Sequence, residues 1–257
     1  MNKILIYGIL NVTPDSFSDG GKFFDPSVAC EHALAMKADG ADVIDIGGMS
    51  TRPGYEDVPE EEEIRRVVPV IKAIKEKAPS CVISVDTFRA GTAEASLKAG
   101  ADIINDITGL MGDPDMGKVI AKYKAKAVLM RDGFGDPDEG WEVMLQRTVD
   151  AAKTAGIDDS LIVLDPGVGF TKTREQDIEL INAIPDMKAK WGYPIFLGVS
   201  RKRVTADFYK GDTKADERLG ASLALALYGV EKGATEIRVH DVKDTYAAVK
   251  AWERMHG

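Results

Sequence analysis

The sequence predicts an α/β protein, a single-domain (β/α)8 TIM barrel spanning residues 1–257, on three observations. Eight short apolar runs rich in β-branched residues alternate with segments of helical period, which implies right-handed parallel crossovers and a sheet covered on both faces. The length of 257 residues matches the about 250 of one eight-fold barrel. No low-complexity linker or break in composition divides the chain. An open doubly wound sheet is the competing topology. It favours a G-x-G-x-x-G loop after an early strand, and none follows one here.

In chain order, ILIYGIL predicts the first strand and 27–39 the first helix, then DVIDIG and 60–78. In that second helix Ile64, Val67, Val68, Ile71 and Ile74 share one face, while Glu60, Lys72 and Glu76 face water. Pro59 suits a first turn, and Pro69 marks a kink or weak point. CVISVD and 90–99, DIIND and 115–124, and AVLM and 141–156 continue the alternation. LIVLD and 174–191, PIFLGVS and 214–232, and EIRVH and 243–254 complete it.

Composition narrows the function. Hydrophobic residues make up 44% and charged residues 29%, and no apolar run approaches the roughly 18 residues of a membrane span, so a soluble protein without a membrane partner is expected. The N-terminal MNKILIYGILNVTPDSF lacks the pattern of a targeting segment, which predicts a cytoplasmic location. A net charge of −9 argues against a nucleic-acid partner, which needs clustered Lys and Arg. Cys30 and Cys81 lack metal-ligand spacing and are expected as buried thiols.

In a barrel, residues just after the strands share one rim. Here those endings are nearly all polar: Asn11, Ser50-Thr51-Arg52, Asp86, Asn105, Arg131, Asp165, Ser200-Arg201-Lys202, and Arg238 with His240. Each has a plainer explanation. Asp86, Asn105 and Asp165 suit helix N-caps, His240 a satisfied structural residue, and Arg201 with Lys202 a solvated pair. Repetition at eight strand ends favours a shared site, with opposite charges gathered for a ligand. The first loop, NVTPDSFSDGG, carries Phe17, a poor solvent residue suited to closing over a ligand. The second, GGMSTRPG, combines glycines, hydroxyls and an arginine, a set suited to an anionic or phosphorylated group.

ILNVTPDSFSDGG, DIGGMSTRPG, SVDTF, NDI, LDPGVGF, SRK and RVHD, in this order, resemble the dihydropteroate synthase family over essentially the whole chain. The resemblance implies condensation of 6-hydroxymethyl-7,8-dihydropterin pyrophosphate with 4-aminobenzoate, giving 7,8-dihydropteroate and pyrophosphate. It implies that Asp86, Asn105, Asp165, Lys202 and Arg238 bind the pterin. The carboxylate of Asp165 would accept from two ring-edge N–H donors. Asn11, Thr51, Arg52, Arg238 and His240 would hold pyrophosphate, with Mg2+ bound partly by Asn11. Phe17, Thr51, Pro53, Phe170 and Arg203 would border 4-aminobenzoate. Asn11, Arg52, Lys202, Arg238 and His240 are the implied catalytic groups. A homodimer through late helices is also implied, ERLGASLALALYGVEKG being unusually apolar.

Three positions depart from the family pattern. Met49 stands where glutamate is common, Met130-Arg131-Asp132 replaces a histidine-containing M-H-M, and Arg203 replaces the serine after SRK. Arg203 adds a bulky cation beside the lysine, which would alter affinity for aminobenzoate or sulfonamide mimics. Two other functions compete: a divergent pterin-binding paralogue with another acceptor or no synthase activity, and a folate-binding module of the corrinoid methyltransferase type. Asn11, Arg52 and His240 disfavour the module, which never meets pyrophosphate.

Overall fold

The computed structural model describes residues 3–13, 25–49, 58–131, 133, 135–136 and 139–256. Its parallel sheet comprises β1 (Leu5–Asn11), β2 (Val43–Gly47), β3 (Val82–Asp86), β4 (Ile103–Asp106), β5 (Lys126–Met130), β6 (Ile162–Asp165), β7 (Phe196–Leu197) and β8 (Glu236–Val239). The strands neighbour one another in the order β6-β5-β4-β3-β2-β1-β8-β7. A parallel bridge between Leu164 and Ile195, with Leu164 N–H donating to Pro194 O at 3.0 Å, joins β6 to β7 and closes the barrel. The helices are α1 (Pro26–Ala38), α2 (Glu60–Lys77), α3 (Ala90–Ala99), α4 (Met116–Tyr123), α5 (Trp141–Thr154), α6 (Arg174–Asn182), α7 (Ile184–Trp191), α8 (Leu219–Lys232) and α9 (Val242–His256).

Strand alternation creates two apolar cores. Outward-facing Ile6, Leu10, Ile44, Ile46, Ile83, Val85, Ile104, Leu129 and Ile237 pack with the helices. Inward-facing Tyr7, Val43, Ile103, Val128, Val163 and Phe196 fill the barrel, with Tyr7 and Phe196 edge to face at 5.0 Å. Beneath that layer Glu236 accepts from the Tyr7 hydroxyl and from Lys126 Nζ, the latter at 2.6 Å. Above it the interior becomes polar, because the next inward position on several strands carries a charged or amide side chain.

Four differences from the sequence-based elements have local causes. The expected helix at 174–191 breaks at Ala183, and Pro185 lies at the start of α7, where its missing N–H costs nothing. α8 begins at Leu219, after a short 3-10 turn at Ala215–Glu217, instead of at 214. β7 stops at Leu197 because the chain peels away through Gly198 into a turn where Arg201 has φ 59°. α2 runs through Pro69, but its buried face is Glu63, Val67, Val70, Ile71 and Ile74, leaving Ile64 and Val68 half-buried. Glu63 rotates that face inward by pairing with Arg89 Nη1 at 2.9 Å and accepting from Thr92 Oγ1 at 3.1 Å.

Candidate active site

The strand register builds one polar rim. Asn11 pairs with Gly47, Gly47 with Asp86, and Asp86 with Asn105 across β1 to β4. On the opposite wall Met130 pairs with Asp165, and Arg131 N–H donates to Asp165 O at 3.1 Å. Asn11, Asp86, Asn105 and Asp165 therefore lie at or next to the ends of β1, β3, β4 and β6 on the C-terminal face, where parallel barrels bind ligands.

Arg238, on β8, reaches across the mouth. Its Nε donates to Asp45 Oδ2, and its Nη2 donates to Asp86 Oδ2 at 2.7 Å. Asn105 Nδ2 donates to the same Asp45 oxygen at 3.3 Å. Asp45 thus braces Arg238 and Asn105 together, although the sequence reading passed over it. The signal was present: in DVIDIG, Val43, Asp45 and Gly47 share the inward face, and an inward carboxylate within a buried strand demands partners. The second oxygens of Asp45 and Asp86 are buried with no hydrogen-bond partner among the described residues.

Asp165 is 7% exposed, and its Oδ1 accepts from Gly167 N–H at 2.8 Å. Gly167 and Gly169 have φ of +80° and +88°. A Cβ on Gly169 would lie 2.6 Å from Lys202 Cδ, so only glycine lets the Lys202 stem pass. Lys202 Nζ donates to Val168 O at 2.5 Å and lies 5.0 Å from the Phe170 ring centroid, a cation–π arrangement. Gly198 lies between the two cations: a Cβ there would stand 3.6 Å from that ammonium and 3.9 Å from Arg238 Cβ.

The helix-cap explanation fails for all three acidic or amide endings. Arg89 occupies the N-cap of α3 without a side-chain bond, Asp115 that of α4, and Thr173 caps α6. Orphan N–H groups of α3 are instead met by Glu60 and Asp113. His240 is oriented by Ser200, whose Oγ lies 3.0 Å from Nδ1. Arg201 is committed to Asp241, with Nε donating to Oδ2 at 3.1 Å. Arg131 Nη2 donates to Phe170 O at 3.0 Å. Arg203 directs its guanidinium to the carbonyls of Lys172 and Thr173 at 3.2 and 3.3 Å and to Asp177. Met49 is buried at the end of β2. Phe17, Thr51, Arg52 and Pro53 lie outside the described residues, as do Ser50 and Asp132.

Burial sets the charge state of this mouth. It pushes the Asp86 carboxyl up to about 7, with Asp45 and Glu63 adding repulsion and Arg238 opposing the rise. It likewise raises Asp165, against the pull of Lys202 and the Gly167 N–H. Lys202 is lowered by burial and by Arg238, while Asp165 opposes the fall. Such a cavity offers acceptors and cations on facing walls. It suits a flat ligand that brings N–H donors to Asp86 and Asp165 and negative charge to Arg238 and His240.

Comparison with known proteins agrees with this chemistry. Residues 7–240 match the family described as "Pterin binding enzyme". The dihydropteroate synthase of Clostridium beijerinckii is 48% identical over 253 residues, covering 96% of this chain and 93% of its own. The Clostridium difficile dihydropteroate synthase structure, determined in the presence of pteroic acid, superposes with a TM-score of 0.90 at 41% identity, covering 98% and 97% of the two chains. The Xanthomonas albilineans dihydropteroate synthase with 4-aminobenzoic acid gives a TM-score of 0.91 at 36% identity, covering 99% and 94%. A family match over residues 7–240 and relatives matched along nearly their full length lead to one conclusion: the chain belongs to the pterin-binding enzyme family and, within it, to the dihydropteroate synthases.

Proposed function

We propose that this enzyme condenses 6-hydroxymethyl-7,8-dihydropterin pyrophosphate with 4-aminobenzoate, releasing pyrophosphate and forming 7,8-dihydropteroate for folate synthesis. The observation that carries this function is the convergence of Asp86, Asn105, Asp165, Lys202 and Arg238 on one barrel mouth in a chain so similar to dihydropteroate synthases.

The residue roles follow from donor and acceptor chemistry. Asp165 and Asp86 accept from the pterin's N–H edge, Asn105 meets a remaining ring heteroatom, and Lys202 donates to the carbonyl or ring nitrogen beside it. Arg238, held flat by Asp45 and Asp86, covers the pterin face. In the reaction the bond from methylene carbon to bridging oxygen breaks, and its electron pair leaves on pyrophosphate. The arylamine lone pair forms the new C–N bond, and the amine then loses a proton. Arg52, Arg238 and His240 are the groups we assign to the growing negative charge, which fixed donors stabilise more than water does, with Asn11 acting through the metal ion. To the aminobenzoate pocket we assign Phe17, Thr51, Pro53 and Phe170, with Arg203 on the loop that carries Phe170, and sulfonamide mimics would compete there.

Mg2+ fits this donor set. Among the described residues no group of three His, Cys, Asp or Glu forms a metal cage, whereas the Asn11 side-chain oxygen stands over Gly47, 3.7 Å from where a Cβ would be. A single amide oxygen suits an ion that keeps its waters and arrives on substrate phosphates. Mg2+ bound there would neutralise charge on the departing pyrophosphate. A cytoplasmic homodimer completes the proposal, supported by the exposed aromatics Phe208 and Tyr228 near and on α8; sedimentation at micromolar concentration tests the dimer.

Purified protein supplied with the pterin pyrophosphate, Mg2+ and 4-aminobenzoate should release pyrophosphate and yield dihydropteroate. Pterin binding without turnover would refute synthase activity and favour a paralogue with another acceptor.

A further inference from the structure

Two arginines from different strand ends grip one loop. The segment Gly167–Thr173 between β6 and α6 carries Phe170, and internally Phe170 N–H donates to Gly167 O at 3.1 Å. Five of its other carbonyls accept from residues outside it. Val168 O accepts from Lys202, and Phe170 O accepts from Arg131 Nη2 at 3.0 Å. Arg203 takes the next three residues: it donates to Thr171 O, to Lys172 O at 3.2 Å and to Thr173 O at 3.3 Å. Buried Asp177 closes the ring, its Oδ2 accepting from Arg203 Nε at 3.2 Å and its Oδ1 from Gly169 N–H at 2.7 Å. The Arg203 guanidinium is thus spent on protein oxygens, and Phe170 is fixed from both sides under the Lys202 ammonium.

We propose that Arg131 and Arg203 are positioning residues that pin this loop, so that Phe170 forms a preset wall of the 4-aminobenzoate pocket and limits the breadth of arylamine accepted. The inference deepens the synthase function and rests on it. A rigid fork making several bonds to consecutive carbonyls removes ordering cost that the second substrate would otherwise meet on binding. The loop meets the pterin-facing groups through Gly167 N–H and Val168 O, ahead of the carbonyls that the arginines hold, so the effect falls mainly on the second substrate.

The test uses the full chain with Arg203→Ala, Arg131→Ala and the milder Arg203→Lys, which guards against misfolding. Arg203→Ala should raise KM for 4-aminobenzoate about tenfold and leave kcat within about threefold, because only the wall's ordering is lost. Affinity for the pterin pyrophosphate should not change, and amide exchange over residues 169–173 should quicken. Affinity for a sulfonamide competitor should fall less than that for 4-aminobenzoate, since a loosened wall admits the bulkier group. Arg131→Ala should act in the same direction, and Arg203→Lys should lie between. Equal changes for both substrates, or faster exchange with an unchanged KM for 4-aminobenzoate, would overturn the proposal. If the wild type bound pterin but did not turn over, the synthase function would fail. The clamp would then stand or fall on exchange and on calorimetric affinity for 4-aminobenzoate.

Discussion

Asp165→Asn is the sharpest test of how the pterin is held. The carboxylate has one oxygen engaged by Gly167 N–H at 2.8 Å, and as an acceptor-only group it can take two further donors from a ligand edge. Hydrogen bonds to a charged group contribute about 1.5–3 kcal/mol each. Asparagine keeps the shape and one acceptor for Gly167, but turns the other atom into a donor facing donors. At least one ligand bond is lost, so binding should weaken by about 2–4 kcal/mol, roughly 30- to 1,000-fold in Kd. The fold should survive, because burial already raises the Asp165 pKa and the substitution removes a charge that the folded state disfavours. Calorimetry with 6-hydroxymethyl-7,8-dihydropterin at pH 8, beside a melting curve, separates the two outcomes. A folded variant that bound the pterin within threefold of wild type would refute the assignment. A melting point that collapsed while the folded fraction still bound would make Asp165 a turn residue only.

Three further outcomes follow from the same geometry. Asp86, raised to about 7, keeps in the fold a proton that the unfolded chain releases near about 3.9; wild-type stability should therefore fall as pH rises through that window. Pterin binding, which needs the ionised carboxylate, should strengthen towards pH 8, and Asp86→Asn should flatten both profiles while melting no lower than wild type at pH 8. Gly169→Ala places a Cβ 2.6 Å from Lys202 Cδ at φ +88°, so it should cost about 1–2 kcal/mol, about 2–6 °C in melting temperature, and lower turnover by displacing the lysine. Asn11→Ala should raise the Mg2+ concentration for half-maximal pyrophosphate release about tenfold, about 1.4 kcal/mol of lost ligation, and an unchanged Mg2+ dependence would remove Asn11 from the metal site.

The barrel was legible because its signal is local. Each strand carries apolar residues on its helix-covered face, as a parallel sheet wrapped by helices must, and the run lengths counted out eight strands. The failures occurred where one residue overrides a pattern. Pro185 divides a segment whose periodicity reads as one helix, and Gly198 ends β7 inside an apolar run. At the site, strand-end polar residues were visible as a set, since parallel topology alone brings them together. Asp45 was missed because it lies one inward position below the rim. The family pattern flagged Arg131 and Arg203 as departures, but nothing in it showed that both reach the loop around Phe170. That contact joins residues 39 and 30 to 32 positions apart in sequence, beyond the reach of spacing arguments.

The directions of the pKa shifts set the barrel mouth apart from the surface ion pairs. A carboxylate that serves an ion pair is lowered by its partners: Glu94, on the surface, is held at about 2 by Lys122, Lys98 and Tyr123. Asp86 and Asp165 move the other way, and Lys202 moves down, so burial at the barrel mouth outweighs their mutual attraction. A core selected for stability alone would replace such groups by apolar ones. The Asp45 and Asp86 oxygens that find no donor among the described residues point to the same conclusion, since a buried acceptor without a donor costs about 1–3 kcal/mol. A ligand edge of N–H donors would relieve both costs by donating to these acceptors. The stability sacrificed at the strand ends is thereby recovered on binding, and it is recovered only by a molecule whose donors match those acceptors.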